Sequence, residues 1–153
     1  MKCFNKKTCI LLPAFVLTIA VSAQNTIADN SELSIVKTAQ DASLKWGPCP
    51  PFMPKGCAIA VLHGDPGKNN ADVFFKVDAN SVIPNHWHNS AERMILISGE
   101  LEVTYKGEKP QIMKAGTYAY GPAKKPHTAK CGKAEPCILF IAFETPINAF
   151  PEN

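Results

Sequence analysis

Two histidines and a glutamate stand close together in the middle of the chain, as His86-x-His88-x3-Glu92. The three positions share parity, so an extended backbone would place their side chains on one face. Met94 and Leu96 continue that face, which predicts that it is buried. Unpaired imidazole and carboxylate groups are costly to bury, and a divalent metal ion cancels that cost. The pattern therefore predicts a metal site with nitrogen and oxygen donors.

The elements that must position these residues are predicted to be short strands. From Ala58 to Glu144 the chain shows about eight runs of strand-forming residues separated by turn signals. Residues Val73, Phe75 and Val77 alternate with polar positions, as in a half-buried strand. No amphipathic helix pattern and no internal repeat interrupts the series. The fold class is therefore all-β, a sandwich or barrel.

The first 57 residues precede that series and have two different compositions. Residues 1–23 carry Lys2, Lys6 and Lys7, then the apolar stretch Ile10–Val21, and end at a small-residue site before Gln24. This arrangement predicts a cleaved signal peptide and a periplasmic or secreted protein. An uncleaved anchor is the alternative, although the apolar stretch is short for a membrane span.

Residues 24–57 are expected to form a linker and a Pro-rich extended arm. The linker has at most one short helix or strand, near residues 32–39. The twelve residues Trp46–Cys57 contain four Pro and two Gly, a composition that excludes a helix. The barrel domain then covers residues 58–153.

Charge excludes one class of partner. Without residues 1–23 the chain has 13 basic and 13 acidic residues, because three of the 16 basic residues lie in that segment. A neutral domain lacks the excess positive charge with which proteins attract nucleic acid. Once the signal is removed, no segment indicates a membrane partner either.

Four cysteines remain after residues 1–23: Cys49, Cys57, Cys131 and Cys137. In an oxidising compartment an even number predicts disulfides. We favour Cys49–Cys57 and Cys131–Cys137, since each pair would close a short loop containing Pro and Gly. Free thiols or pairing between the two loops remain open.

The histidine region resembles the first conserved motif of the cupin superfamily. His86-x-His88-x3-Glu92-x6-Gly99 matches that motif in full, except that Asn80 replaces a leading Gly. Asn tolerates a positive φ, so a turn is still expected there. The lead-in Trp46-Gly-Pro and the turn Gly64-Asp-Pro are also loosely similar to anti-sigma-factor cupin domains.

A second cupin motif is similar to Gly116-x5-Pro122-x-Lys124-x2-His127. Here Lys124 replaces a Gly, which puts the loop geometry in doubt, and Cys131 stands where Asn is usual. The resemblance covers about Ala71 to Phe143, roughly half of the chain. The resemblance implies a single-domain cupin, a double-stranded β-helix of the jelly-roll type.

By this resemblance, one divalent transition metal (Fe, Mn, Ni, Cu or Zn) would be bound by His86, His88, Glu92 and His127. His127 would approach the other three ligands from across the barrel. Such a site leaves open coordination positions, and cupins with this ligand set include dioxygenases. We therefore expect an oxidoreductase of dioxygenase type acting on a small molecule. A non-catalytic module that binds a metal or a small ligand is the alternative.

No catalytic residue is assigned from the sequence. Glu102, Tyr118 and Tyr120 are the candidates for an acid or base near the site. Arg93 is expected to form an external salt bridge, and His63 to lie at the surface. Since cupins often pair through an edge strand, a homodimer is a further expectation, with Cys137–Phe143 as the shared edge.

Overall fold

The structure is a computed structural model, and the residues that it describes are 32–152. Its contacts divide the chain into two units, Met1–Ser34 and Ile35–Asn153. The signal-peptide prediction lies outside the described residues. No helix within those residues is long and apolar enough to cross a membrane.

The second unit is built from strands, and eleven are found among its described residues. They are β1 (Trp46–Pro48), β2 (Ala58–His63), β3 (Ala71–Val77), β4 (Val82–Trp87), β5 (Glu92–Ser98), β6 (Glu100–Tyr105), β7 (Gln111–Lys114), β8 (Tyr118–Gly121), β9 (His127–Cys131), β10 (Cys137–Phe143) and β11 (Phe150–Pro151). The all-β prediction is confirmed.

The strands form two antiparallel sheets. A six-stranded sheet has the order β1-β2-β3-β10-β5-β8, and a five-stranded sheet has the order β11-β4-β9-β6-β7. Several neighbours in each sheet, such as β3 and β10 or β4 and β9, are far apart in the chain, as in a jelly roll, where strands alternate between two sheets. The predicted cupin fold is therefore confirmed.

The core lies between the sheets. Val73, Phe75 and Val77 of β3 are buried, as their alternation predicts, and so are Met94 and Leu96 of β5. Strands β6 and β10 contribute a further buried set, which includes Leu101, Val103, Tyr105, Leu139, Ile141 and Phe143. This apolar filling holds the two sheets at a fixed separation, so side chains from both can meet in the interior.

The linker, the arm and strand β10 differ in how far they match the sequence expectations. Residues 32–39 contain neither a helix nor a strand, whereas the Pro-rich arm begins with β1, which pairs with β2. Strand β10 is not an edge, because it lies between β3 and β5. The prediction that Cys137–Phe143 forms a shared dimer edge is thus wrong: its backbone is already hydrogen-bonded on both sides.

Both favoured disulfides are present, Cys49–Cys57 and Cys131–Cys137. The first closes the loop of the Pro-rich arm. The second joins the end of β9 to the start of β10, where both half-cystines are fully buried. Two disulfides fit folding in an oxidising compartment.

Candidate metal centre

Three histidines from one side of the barrel form the centre. His86 of β4 and His127 of β9 are directly paired residues on adjacent strands, with ring centroids 4.2 Å apart. His88 follows the end of β4, with its ring 4.8 Å from that of His86. One ring nitrogen of each histidine lies within 4.8 Å of the others. His127 therefore joins His86 within the five-stranded sheet, and the expectation that it approaches from across the barrel is wrong.

Glu92 is the residue that comes from across the barrel. The backbone is not extended from His86 to Glu92, because it bends at Asn89 and Ser90 and enters the other sheet at β5. The Ser90 hydroxyl oxygen accepts hydrogen bonds from the backbone amides of Glu144 and Thr145, which fixes the bend. Shared parity thus correctly predicted that the three side chains point inward. The assumption of a continuous extended backbone was wrong, because the chain bends between His88 and Glu92.

The Glu92 carboxylate reaches the histidines through both of its oxygens. Its Oε1 lies 3.4 Å from Nε2 of His88, and its Oε2 lies 3.9 Å from Nε2 of His127. All four side chains are nearly inaccessible to solvent. The residues predicted from the sequence as ligands are therefore brought together in the barrel interior.

Backbone carbonyls orient all three rings. The Nδ1 atom of His86 donates to the carbonyl of Pro84 at 2.8 Å, and that of His127 donates to the carbonyl of Lys125 at 3.1 Å. Nδ1 of His88 donates to the carbonyl of Asn148. A carbonyl only accepts, so each Nδ1 carries the proton and each Nε2 presents a lone pair. This is the arrangement by which proteins orient metal-binding histidines.

Burial keeps the histidines neutral. It lowers the pKa of His86 from 6.5 to about 4, with His88 adding to the shift. It lowers the pKa of His127 to about 3, with His86 adding, and it also lowers the pKa of His88. Neutral imidazoles are the form that binds metal.

Burial has the opposite effect on the carboxyl group, raising the pKa of Glu92 from 4.5 to about 8. Among residues 32–152 no Lys or Arg forms an ion pair with the buried carboxyl group or the three histidines. A divalent cation would supply the positive partner. The donor set therefore fits a divalent transition metal.

Two turns that precede the histidine-bearing strands β4 and β9 keep the geometry expected of glycine. Asn80 has a φ of 63° and Lys124 a φ of 59°, so both occupy the left-handed region. The amide of Lys124 donates to the carbonyl of His88 at 2.7 Å, which ties the loop before His127 to the backbone of a second candidate ligand. Replacement of glycine by Lys124 thus leaves the loop geometry intact.

A cavity of about 170 Å³ opens onto the metal centre. Most of its lining is apolar side chains from both sheets. The arm contributes Cys49, Pro50 and Met53, and the segment before β11 contributes Ile147 and Asn148. The ring of Phe52 lies 6.1 Å from that of His86. The disulfide-closed arm therefore forms one wall of the site.

The acid and base candidates from the sequence lie elsewhere. Tyr118 and Tyr120 are 58% and 52% exposed, and Glu102 also faces solvent. Arg93 pairs externally with Glu144, as predicted, and His63 is exposed.

The sequence reasoning missed Tyr105 as a site residue. Its ring lies 4.8 Å from that of His127. The alternation of Leu101, Val103 and Tyr105 indicates an inward face without indicating that its last residue meets a histidine.

Structural comparison supports the fold. A DMSP lyase from Ruegeria pomeroyi aligns with a TM-score of 0.61 at 19% identity, over 71% of this chain and 60% of the lyase. A polyketide cyclase from Streptomyces resistomycificus gives 0.59 at 17% identity, over 72% of this chain and 80% of the cyclase. A variant of oxalate decarboxylase from Bacillus subtilis gives 0.56 at 21% identity, over 65% and 29%. The chain thus spans about three fifths of the lyase.

No match was found among curated proteins. The profile of the family described as the ChrR cupin-like domain matches residues 35–145, which include every candidate ligand. The chain therefore belongs to the ChrR cupin-like domain family.

Proposed function

We propose that the protein binds one divalent transition metal through His86, His88, Glu92 and His127, and that it is an oxidoreductase of dioxygenase type acting on a small organic molecule. The observation that carries the proposal is the cluster of His86, His88 and His127, in which one ring nitrogen of each lies within 4.8 Å of the others beside a cavity. The Glu92 carboxylate supports it, with Oε1 3.4 Å from Nε2 of His88. Fe, Mn, Ni, Cu and Zn all suit such a donor set.

The residues around the centre would have three roles: metal binding, charge neutralisation and exclusion of water. The three histidines hold their lone pairs in place through the bonds from Nδ1, so little reorganisation accompanies metal binding. Glu92, in its deprotonated form, would hold the cation and neutralise one of its charges. The apolar walls exclude water from the open side of the centre.

These residues would hold the metal with coordination positions left open to the cavity, and the bound metal would supply activation of O₂ and of an organic ligand. Structural relatives named as a lyase, a cyclase and a decarboxylase are consistent with a catalytic role for this fold. Fold alone does not select the reaction.

The test is oxygen uptake by protein reloaded anaerobically with each of the five metals. The substrates form a panel of small molecules with hydroxyl, carbonyl or carboxylate groups, and His86→Ala is the control. We expect uptake that depends on one class of substrate and disappears in the variant. Stoichiometric metal without uptake for any substrate would refute the dioxygenase and favour the alternative, a non-catalytic binding module.

The proposal also includes the division of the chain into a signal peptide at 1–23, a linker and arm at 24–57 and a barrel at 58–153. It includes export and homodimer formation as well. Mass spectrometry of protein recovered from the periplasm tests the signal: cleavage predicts a mature N-terminus at Gln24.

A further inference from the structure

Tyr105 ends β6 and points into the cavity beside the metal centre. Its side chain is 5% exposed, and its ring packs against that of His127 at an angle of 36°. It lines the same cavity as the candidate ligands. The phenol is therefore placed where a molecule in the cavity would meet it.

The hydroxyl of Tyr105 has no hydrogen-bond partner in the part of the protein that the structure describes. Gly121 faces it without a side chain: a Cβ on that residue would lie 2.4 Å from the Tyr105 hydroxyl and 3.2 Å from Oε2 of Glu92. The hydroxyl and the carboxylate thus border one small space that the glycine keeps open. A buried hydroxyl without a partner is costly, which indicates that a bound molecule accepts its hydrogen bond.

Few other polar groups are available in the cavity. Its polar lining among residues 32–152 consists of His86, His88, Glu92, Tyr105, His127 and Asn148. The three Nδ1 atoms are engaged by carbonyls. The side chain of Asn148 is also engaged, with the amide of Asn89 and the carbonyl of Pro146. Apart from the second N–H of the Asn148 amide, Tyr105 therefore offers the uncommitted side-chain donor of this lining.

Charge and size restrict the molecule further. A divalent metal with one carboxylate and three neutral imidazoles has a net charge of +1, which one anionic oxygen group neutralises. No Lys or Arg among the described lining residues could balance a second negative charge, and an unpaired buried charge is strongly unfavourable. An apolar cavity of about 150 Å³ accommodates benzene, so the cavity here suits a compact apolar body.

We infer that the cavity selects small, mainly apolar molecules with a single anionic oxygen group, and that Tyr105 is the binding residue that donates a hydrogen bond to that group. The inference rests on the proposed metal centre. It adds the substrate class and a residue that determines specificity.

The test uses two probes of similar shape, 4-methylpentanoate and succinate. They differ at one end, where 4-methylpentanoate has an isopropyl group and succinate has a second carboxylate. Binding is followed through the visible absorption of Co(II)-loaded protein, without turnover. We expect 4-methylpentanoate to bind at least tenfold more tightly than succinate. Tyr105→Phe should weaken the binding of 4-methylpentanoate about tenfold, which is the effect of losing one hydrogen bond. Tyr118→Phe, at an exposed tyrosine, should leave binding unchanged.

A second readout does not depend on the metal. If the Tyr105 hydroxyl has no partner in the free protein, Tyr105→Phe will leave the melting temperature of metal-free protein unchanged or raise it. A clear fall would assign the hydroxyl a structural role and overturn the inference.

The two proposals fail differently. Stoichiometric cobalt with equal affinity for both probes, or with no effect of Tyr105→Phe, overturns this inference and leaves the metal centre standing. Protein that retains no metal overturns both.

Discussion

Replacing Glu92 by Gln is predicted to have opposite effects on the metal-free and the metal-bound protein. The substitution keeps the size of the side chain and removes its ionisation. In the metal-free protein Glu92 is buried, no Lys or Arg of residues 32–152 pairs with it, and burial raises its pKa to about 8. With metal bound, the same carboxylate is a ligand. The Glu92→Gln substitution should therefore stabilise the metal-free protein and weaken metal binding.

The magnitude follows from proton linkage. The folded state holds the Glu92 proton up to about pH 8, whereas the unfolded chain releases it above its ordinary pKa of 4.5. The folded state binds more protons in this window, so stability falls as pH rises through it. The loss is on the order of 1 kcal/mol at pH 5 and 4 kcal/mol at pH 7.5. An uncharged amide at this position abolishes the loss.

The assay is urea unfolding of chelator-treated protein at pH 5 and pH 7.5. The buried histidines have the opposite linkage, because their pKa values are lowered and stability falls as pH drops below 6.5. Both proteins contain these histidines, so the difference between wild type and Glu92→Gln isolates the carboxyl group. We expect this difference to favour the variant and to grow by roughly 3 kcal/mol between the two pH values. Glu102→Gln, at an exposed position, is the control and should show no such growth.

Metal affinity gives the second half of the test. Loss of a ligand should weaken binding at least tenfold, since even changes beyond the ligands cost that much. A Glu92→Gln variant that is less stable than wild type without metal at pH 7.5, or that binds metal as tightly, would refute the reasoning.

Three further predictions concern the ligands, a disulfide and a turn. His127→Ala should lose stoichiometric metal by elemental analysis, while His63→Ala retains it; equal metal content would contradict the ligand assignment. Replacing both Cys131 and Cys137 by Ala should lower the free energy of unfolding by about 2 kcal/mol, the loop-closure contribution of a short loop, with metal content unchanged; metal lost in a still-folded variant would contradict this. Lys124→Gly should raise stability by about 1 kcal/mol in chemical denaturation, since Gly tolerates a φ of 59°. Lys124→Ala should give no gain, and an equal gain would contradict the strain argument.

Much of the fold could be predicted from the sequence because local patterns carry it. The alternation of Val73, Phe75 and Val77 gives their burial directly, since side chains alternate along a strand. The short spacing within each cysteine pair favours the observed disulfides. The match to the cupin motifs indicates the strand arrangement that no local pattern contains.

The errors arise where tertiary pairing decides. Spacing places His86, His88 and Glu92 on an inward face, but only sheet pairing reveals that Glu92 enters from the other sheet. The central position of β10 is not evident from its sequence, because an apolar strand can be central or at an edge and its two partners lie far away in the chain. Tyr105 could not be linked to His127 for the same reason: their contact depends on the register between β6 and β9.

The most direct test of the central claim is an anomalous difference map from a crystal of metal-loaded protein, recorded at the absorption edge of the metal. We predict a single strong peak within bonding distance of the Nε2 atoms of His86, His88 and His127 and of the Glu92 carboxylate. A peak at another position, or a loaded crystal with no peak at these residues, would contradict the account.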